Sequence, residues 1–157
     1  MSKGWCSYLM ELNLFALLLA ALAGATMAVQ GTLNSALGKV VGLLEATLIV
    51  MLIGALTTLL FLYPLGLGKG NMLKLGETPW YTLGGGVLIV LITYGVAASI
   101  PRVGVANATT AIVAAQVATA LLIDHFGFFG MEAISFSWWK AIGLVFLAAG
   151  TYIMLMQ

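Results

Sequence analysis

The chain has 157 residues, of which 62% are hydrophobic and 7% charged, with a net charge of +1. An ordinary soluble domain carries roughly 25% charged residues, so this composition cannot cover a water-facing surface and indicates a small polytopic membrane protein. No basic block stands out, which leaves nucleic-acid binding unsupported, and one cysteine, Cys6, excludes an internal disulfide framework or a cysteine metal site.

Residues 1–11 read as an N-terminal extension and residues 12–157 as one transmembrane domain. A cleaved signal peptide over the first 25 residues is disfavoured, because Glu11 interrupts the charged-then-apolar order and the run that follows is long enough to span. The apolar pattern predicts an all-α fold of five transmembrane helices at about 12–34, 44–63, 80–100, 103–123 and 138–156, each near the length that crosses a core of about 30 Å. Thr78 and Pro79 predict an N-cap and first-turn proline for the third span. Pro101 is expected to break the run between the third and fourth spans, leaving a tight hairpin with Arg102. Ser137 is expected to cap the fifth. Trp80, Tyr81, Trp138, Trp139 and Tyr63 fall at span ends, as in an interfacial aromatic belt.

Lys3, Lys69, Lys74 and Lys140 fall on one side of this arrangement, and Lys39 and Arg102 on the other. The positive-inside rule places the N-terminus in the cytoplasm, but by a weak bias. A chain so balanced is expected to insert both ways round. Two oppositely oriented copies would pair as an antiparallel homodimer and recreate an inverted repeat, an arrangement found in many secondary transporters.

Several polar side chains interrupt the spans. Thr26, Gln30 and Asn34 recur at four-residue spacing on the first; Tyr94 lies on the third; Asn107 and Gln116 lie on the fourth. At 1.5 Å per residue, Gln30, Asn107 and Tyr94 come out at similar depth, about 6–10 Å from the span centres towards one face. These six are the candidate substrate-binding residues. An amide in hydrocarbon without a partner costs several kcal/mol, so Gln30 and Gln116 must bond across helices or line a wet site, and the sequence leaves both readings open. Asn34 is expected near a helix end, and Thr26 is expected to bond its own backbone. Ala106, Thr110, Ala114 and Ala118 form a small-residue stripe suited to close helix packing. No carboxylate lies deep in a span. Glu45, Asp124 and His125 are proton-handling candidates, with a solvated helix-end role as the plainer reading of the Asp124–His125 pair. One histidine and no nucleophile–base–acid grouping argue against an enzyme. No catalytic residue, metal site or cofactor is expected.

The stretches "MAVQGTLNSALGKVVG" and "PRVGVANATTAIVAAQVATALLIDHFGFFG" resemble the YdcZ-like five-helix family of the drug/metabolite transporter superfamily. The resemblance rests on Gln30, Asn34, Leu37 and Gly38 in the first stretch. In the second it rests on Pro101, Gly104, Gln116, Asp124, His125, Phe126 and Gly127. It implies a bacterial inner-membrane, multi-pass exporter of small molecules, and relatives that assemble as dual-topology homodimers, opposite-topology pairs or fused ten-helix repeats. Glu45 departs from the small or proline residue expected there. The substrate stays unspecified, and membrane lipid is the only other partner implied. The expected function is alternating-access export through an amide-lined site on spans one and four. The alternatives are a passive channel formed by the same dimer and a non-transporting accessory subunit.

Overall fold

A computed structural model describes the backbone of residues 3–130, 133–134 and 137–156, and the side chains from Leu14 onward within those ranges. The described residues form five α-helices: α1 (Lys3–Val41), α2 (Leu43–Leu62), α3 (Gly85–Val103), α4 (Val105–Phe126) and α5 (Trp138–Leu155). Short 3-10 turns at Met72–Glu77, Trp80–Gly84 and Phe128–Gly130 fill the connections. Five spans are long and apolar enough to cross a membrane: Leu14–Val41, Leu43–Leu62, Trp80–Val103, Val105–Phe126 and Trp138–Leu155. The chain divides into two compact units after Ala98.

The burial pattern is that of a protein dissolved in lipid. Among the described residues the buried hydrophobic ones are Ala46, Ala97 and Ala108, whereas large leucine, isoleucine, valine and phenylalanine side chains along the spans are exposed. In water such a surface would be untenable. In a bilayer, large apolar side chains gain nothing by turning inward, and small residues take the helix–helix seams because they let backbones approach. Within the first unit α2 packs back on α1. Their buried residues, Gly31, Asn34 and Ser35 on α1 and Ala46 and Thr47 on α2, are small or short and polar. In the second unit α5 packs on α4.

Three borders differ from the sequence expectation. First, α1 does not end near Asn34 but continues to Val41, and α1 and α2 are joined by Gly42 alone. Gly42 has φ 101 and ψ 149, a combination open almost only to glycine. Its N–H donates to the Gly38 carbonyl at 3.1 Å, and its own carbonyl accepts from the Ala46 N–H at 2.9 Å. One residue therefore ends one helix and starts the next with no loop between them.

Second, Pro101 lies inside α3 and does not end it. The break falls at Gly104, φ 83 and ψ 163. The Gly104 N–H donates to Ile100 at 2.9 Å, so the helical turn closes around the proline. Third, Thr78 does not cap a helix start. It closes the preceding 3-10 turn, its hydroxyl donating to the Leu75 carbonyl at 2.8 Å. Ser137 does cap α5 as expected, its hydroxyl accepting from the Trp139 N–H. Trp80, Trp138 and Trp139 are all more than 80% exposed at the starts of their spans, positions suited to the interface between headgroups and hydrocarbon.

Candidate functional site

The six substrate-binding candidates divide between the units. Thr26, Gln30, Asn34 and Tyr94 belong to the first, and Asn107 and Gln116 to the second. The proton-handling candidate Glu45 lies in the first unit, and Asp124 and His125 in the second.

The length of α1 changes the depths expected from spacing. The span Leu14–Val41 has its middle between Met27 and Ala28. At 1.5 Å per residue, Thr26 and Gln30 lie about 2 and 4 Å from that middle, and Asn34 about 10 Å. Gln30 is thus deeper than a span ending at Asn34 would put it, and Asn34 sits two turns inside the helix. On α4 the middle falls between Ala115 and Gln116, so Gln116 is central while Asn107, three residues past Gly104, lies about 13 Å towards the elbow. Tyr94 is the middle residue of α3.

Orientation on α1 separates its polar residues. Gly31, Asn34, Ser35 and Gly38 lie on the side that approaches α2, with Gly31, Asn34 and Ser35 buried. Gly38 is so close to α2 that a Cβ built on it would stand 2.7 Å from a methyl of Leu43. At about 100° per residue, Gln30 points about 100° away from Gly31, and it is exposed. Asn34 falls between the two directions. It is 7% exposed, at the edge of the seam. Thr26 has its hydroxyl committed to the Leu22 carbonyl at 2.8 Å, as expected, and Thr32 bonds Ala28 likewise. Gln30 therefore presents the strongest uncommitted hydrogen-bonding group near the middle of α1, on a flank that α2 does not cover.

In the second unit Gln116 is exposed and Asn107 half-buried. Between α4 and α5, the Thr110 hydroxyl bonds its own backbone at Ala106 and approaches Met154 Sδ at 3.5 Å. Nearby on α5, Thr151 Oγ1 is the buried side-chain polar atom without a hydrogen-bond partner among the described residues.

At the other end of α4, Gly127 takes a left-handed conformation and its N–H closes the last turn on Ile123. Asp124 pairs with Lys140 of α5 at 3.7 Å, both half-exposed, and its carbonyl accepts from the Ile134 N–H at 2.7 Å. His125 stacks edge-on against Phe126, ring centroids 5.0 Å apart. An apolar groove of about 300 Å³ lies beside them, lined by Ala118, Leu121, Leu122, His125, Phe126 and Leu144. Asp124 thus ties the α4 and α5 ends together. Sequence spacing did not show this pairing, because Lys140 lies across a connection with no periodicity. Glu45 turns back over the elbow: a Cβ on Gly42 would collide with its carboxylate. A carboxylate in the first turn of α2 complements the positive helix start.

A family model described as "Putative inner membrane exporter, YdcZ" matches residues 15–153. No curated protein and no solved structure matches the chain.

Proposed function

Because the chain belongs to the YdcZ family of inner-membrane exporters, a family of transporters, we propose that it moves small solutes out across that membrane by alternating access, as an antiparallel homodimer. In this reading the amides of α1 and α4 line the solute route. Gln30 and Asn34 act from α1, with Thr26 beside them. Gln116 and Asn107 act from α4, and Tyr94 from α3.

The observation that carries the proposal is the exposed amide of Gln30. It lies about 4 Å from the middle of an apolar span, on a flank that α2 leaves open. Lipid cannot satisfy it, and leaving it unsatisfied costs several kcal/mol. A second copy of the chain, with a wet route between the copies, supplies both cover and hydrogen bonds. Amides and hydroxyls without a deep carboxylate suit a neutral or amphipathic solute better than a small cation.

The test is a thermal-shift screen of neutral and amphipathic metabolites on the purified protein, followed by flux of each hit into vesicles. Saturable uptake with exchange across the vesicle membrane supports alternating access. Flux that rises linearly without exchange indicates a channel, and no flux with any hit indicates an accessory subunit.

A further inference from the structure

The two glycine elbows are the same structure at two places in the chain. Gly42 and Gly104 are 62 positions apart, and they join helices ending at Val41 and Val103 to helices starting at Leu43 and Val105. Both glycines have positive φ with extended ψ, and both donate to the carbonyl four residues back and accept from the N–H four residues ahead. The same offset relates the buried residues. Of the eight among the described residues, six form three pairs 62 apart: Gly31 with Thr93, Ser35 with Ala97, and Ala46 with Ala108. Identities recur at that offset: Gly24 and Gly86, Ala36 and Ala98, Thr47 and Thr109, and Leu59-Leu60 with Leu121-Leu122. Local hydropathy alone would not align the borders, the backbone angles and the buried positions on one number.

The comparison shows where the two modules diverge. Gln30 and Asn34 correspond to Ile92 and Val96, and Thr26 to Leu88. Glu45 corresponds to Asn107, so the first turn after each elbow stays polar. A polar group at that place serves both modules alike, next to the unpaired N–H groups of a helix start. The polar positions of α1 at 26, 30 and 34, by contrast, have only apolar counterparts on α3.

We propose that α1–Gly42–α2 and α3–Gly104–α4 are two copies of one helix–glycine–helix module, and that of the two matched leading helices only α1 carries an amide face for solute, through Gln30 and Asn34, whose counterparts on α3 are the apolar Ile92 and Val96. The proposal rests on the transport reading above and narrows it: between the matched helices the amide contacts come from α1, and the face of α3 that carries Ile92 and Val96 is scaffold, with Tyr94 about 200° round the helix from both.

Single cysteines in a Cys6→Ser background test this without knowledge of the solute. Gln30→Cys, Asn34→Cys, Ile92→Cys and Val96→Cys proteins are reconstituted in vesicles of phosphatidylethanolamine and phosphatidylglycerol. They are then treated with the charged thiol reagent methanethiosulfonate ethylsulfonate. Position 30 should react about tenfold or more faster than 92, because a charged reagent reaches a wet face and not a lipid-facing or packed one, and position 34, at the edge of the α1–α2 seam, should react more slowly than 30 but faster than 96. Equal rates at matched positions, or faster reaction at 92 and 96, would overturn the assignment of the amide face to α1 while leaving a wet route in place. Reaction at none of the four would remove the route itself, and the transport reading with it. If Gln30→Cys does not yield a folded protein by size-exclusion chromatography, Thr26→Cys against Leu88→Cys makes the same comparison one turn away.

Discussion

Gln30 is where residue chemistry and bilayer physics conflict most sharply. Replacing it with leucine removes an amide from near the middle of an apolar helix. If the amide only bridged helices, the loss would be about 0.6 kcal/mol, the average for such bonds. Gln30→Leu should therefore stay folded and dimeric by size-exclusion chromatography. Its ligand-induced thermal shift and vesicle flux should fall by about tenfold or more, since one hydrogen bond to a desolvated polar group is worth about 1.5 kcal/mol or above. Normal flux would make Gln30 a packing residue and turn attention to Gln116. Failure to assemble would give Gln30 a structural role larger than one average interhelical bond. The Asp124–Lys140 pair should behave differently. Both side chains are half-exposed, and exposed ion pairs contribute about 0–1 kcal/mol. Lys140→Met is expected to shift the thermal midpoint by no more than a few degrees and to leave flux intact. A collapse of flux in a folded Lys140→Met protein would show that the α4–α5 end takes part in transport.

At the scale of elements, the elbows are the least replaceable features of the chain. Gly42 and Gly104 hold backbone angles that cost any other residue about 1–3 kcal/mol. Gly42→Ala and Gly104→Ala should each lower the thermal midpoint in detergent, Gly42→Ala by the larger amount because its Cβ would also have to displace the Glu45 carboxylate. At Gly104 a Cβ meets nothing within 4 Å, so its loss would be backbone strain alone. An unchanged midpoint in Gly104→Ala would show that α3 and α4 tolerate another connection. The five spans were legible in the sequence because lipid demands long apolar runs and tolerates few interruptions. The elbows were not. Val40 and Val41 precede Gly42, and Leu43 and Leu44 follow it, so hydropathy passes through the turn unbroken. Pro101 drew the border away from Gly104, although a proline three residues from a helix end costs little once the final turn closes on Ile100. The same blind spot shortened α1 and moved Asn34 to a helix end. Thr26 was legible because a threonine in a helix commonly bonds the carbonyl four residues back. Asn34 at the edge of the α1–α2 seam depends on helix rotation, which a chain with so many apolar faces does not encode locally.

For the whole molecule, the repeat sharpens the case for a second copy. If each of the five spans crosses once, two crossings separate the start of α1 from the start of α3, and both proposed modules start on the same side. The chain by itself would then hold a parallel repeat, and the inverted pairing that suits alternating access would require a copy inserted the other way round. Orientation is governed by lysine and arginine near the span ends. Four of the six lie on the N-terminal side, and Lys39 and Arg102 beside the two elbows. With no loop at Gly42, added charge must sit in the flanking turns, where Val40 is 83% exposed and Val103 50%. In Val40→Lys/Val103→Lys the split becomes even. Cys6, on the N-terminal side, reports orientation through an impermeant maleimide applied to intact cells and then to permeabilised ones. The native protein should label partly from outside, which reports both orientations. The double-lysine variant should label more from outside, and its flux should hold or rise as the two orientations approach equal numbers, because only oppositely oriented copies form the antiparallel dimer. A native protein labelled only after permeabilisation, and a variant that behaves the same, would rule out dual insertion and leave the inverted dimer to a separate partner chain.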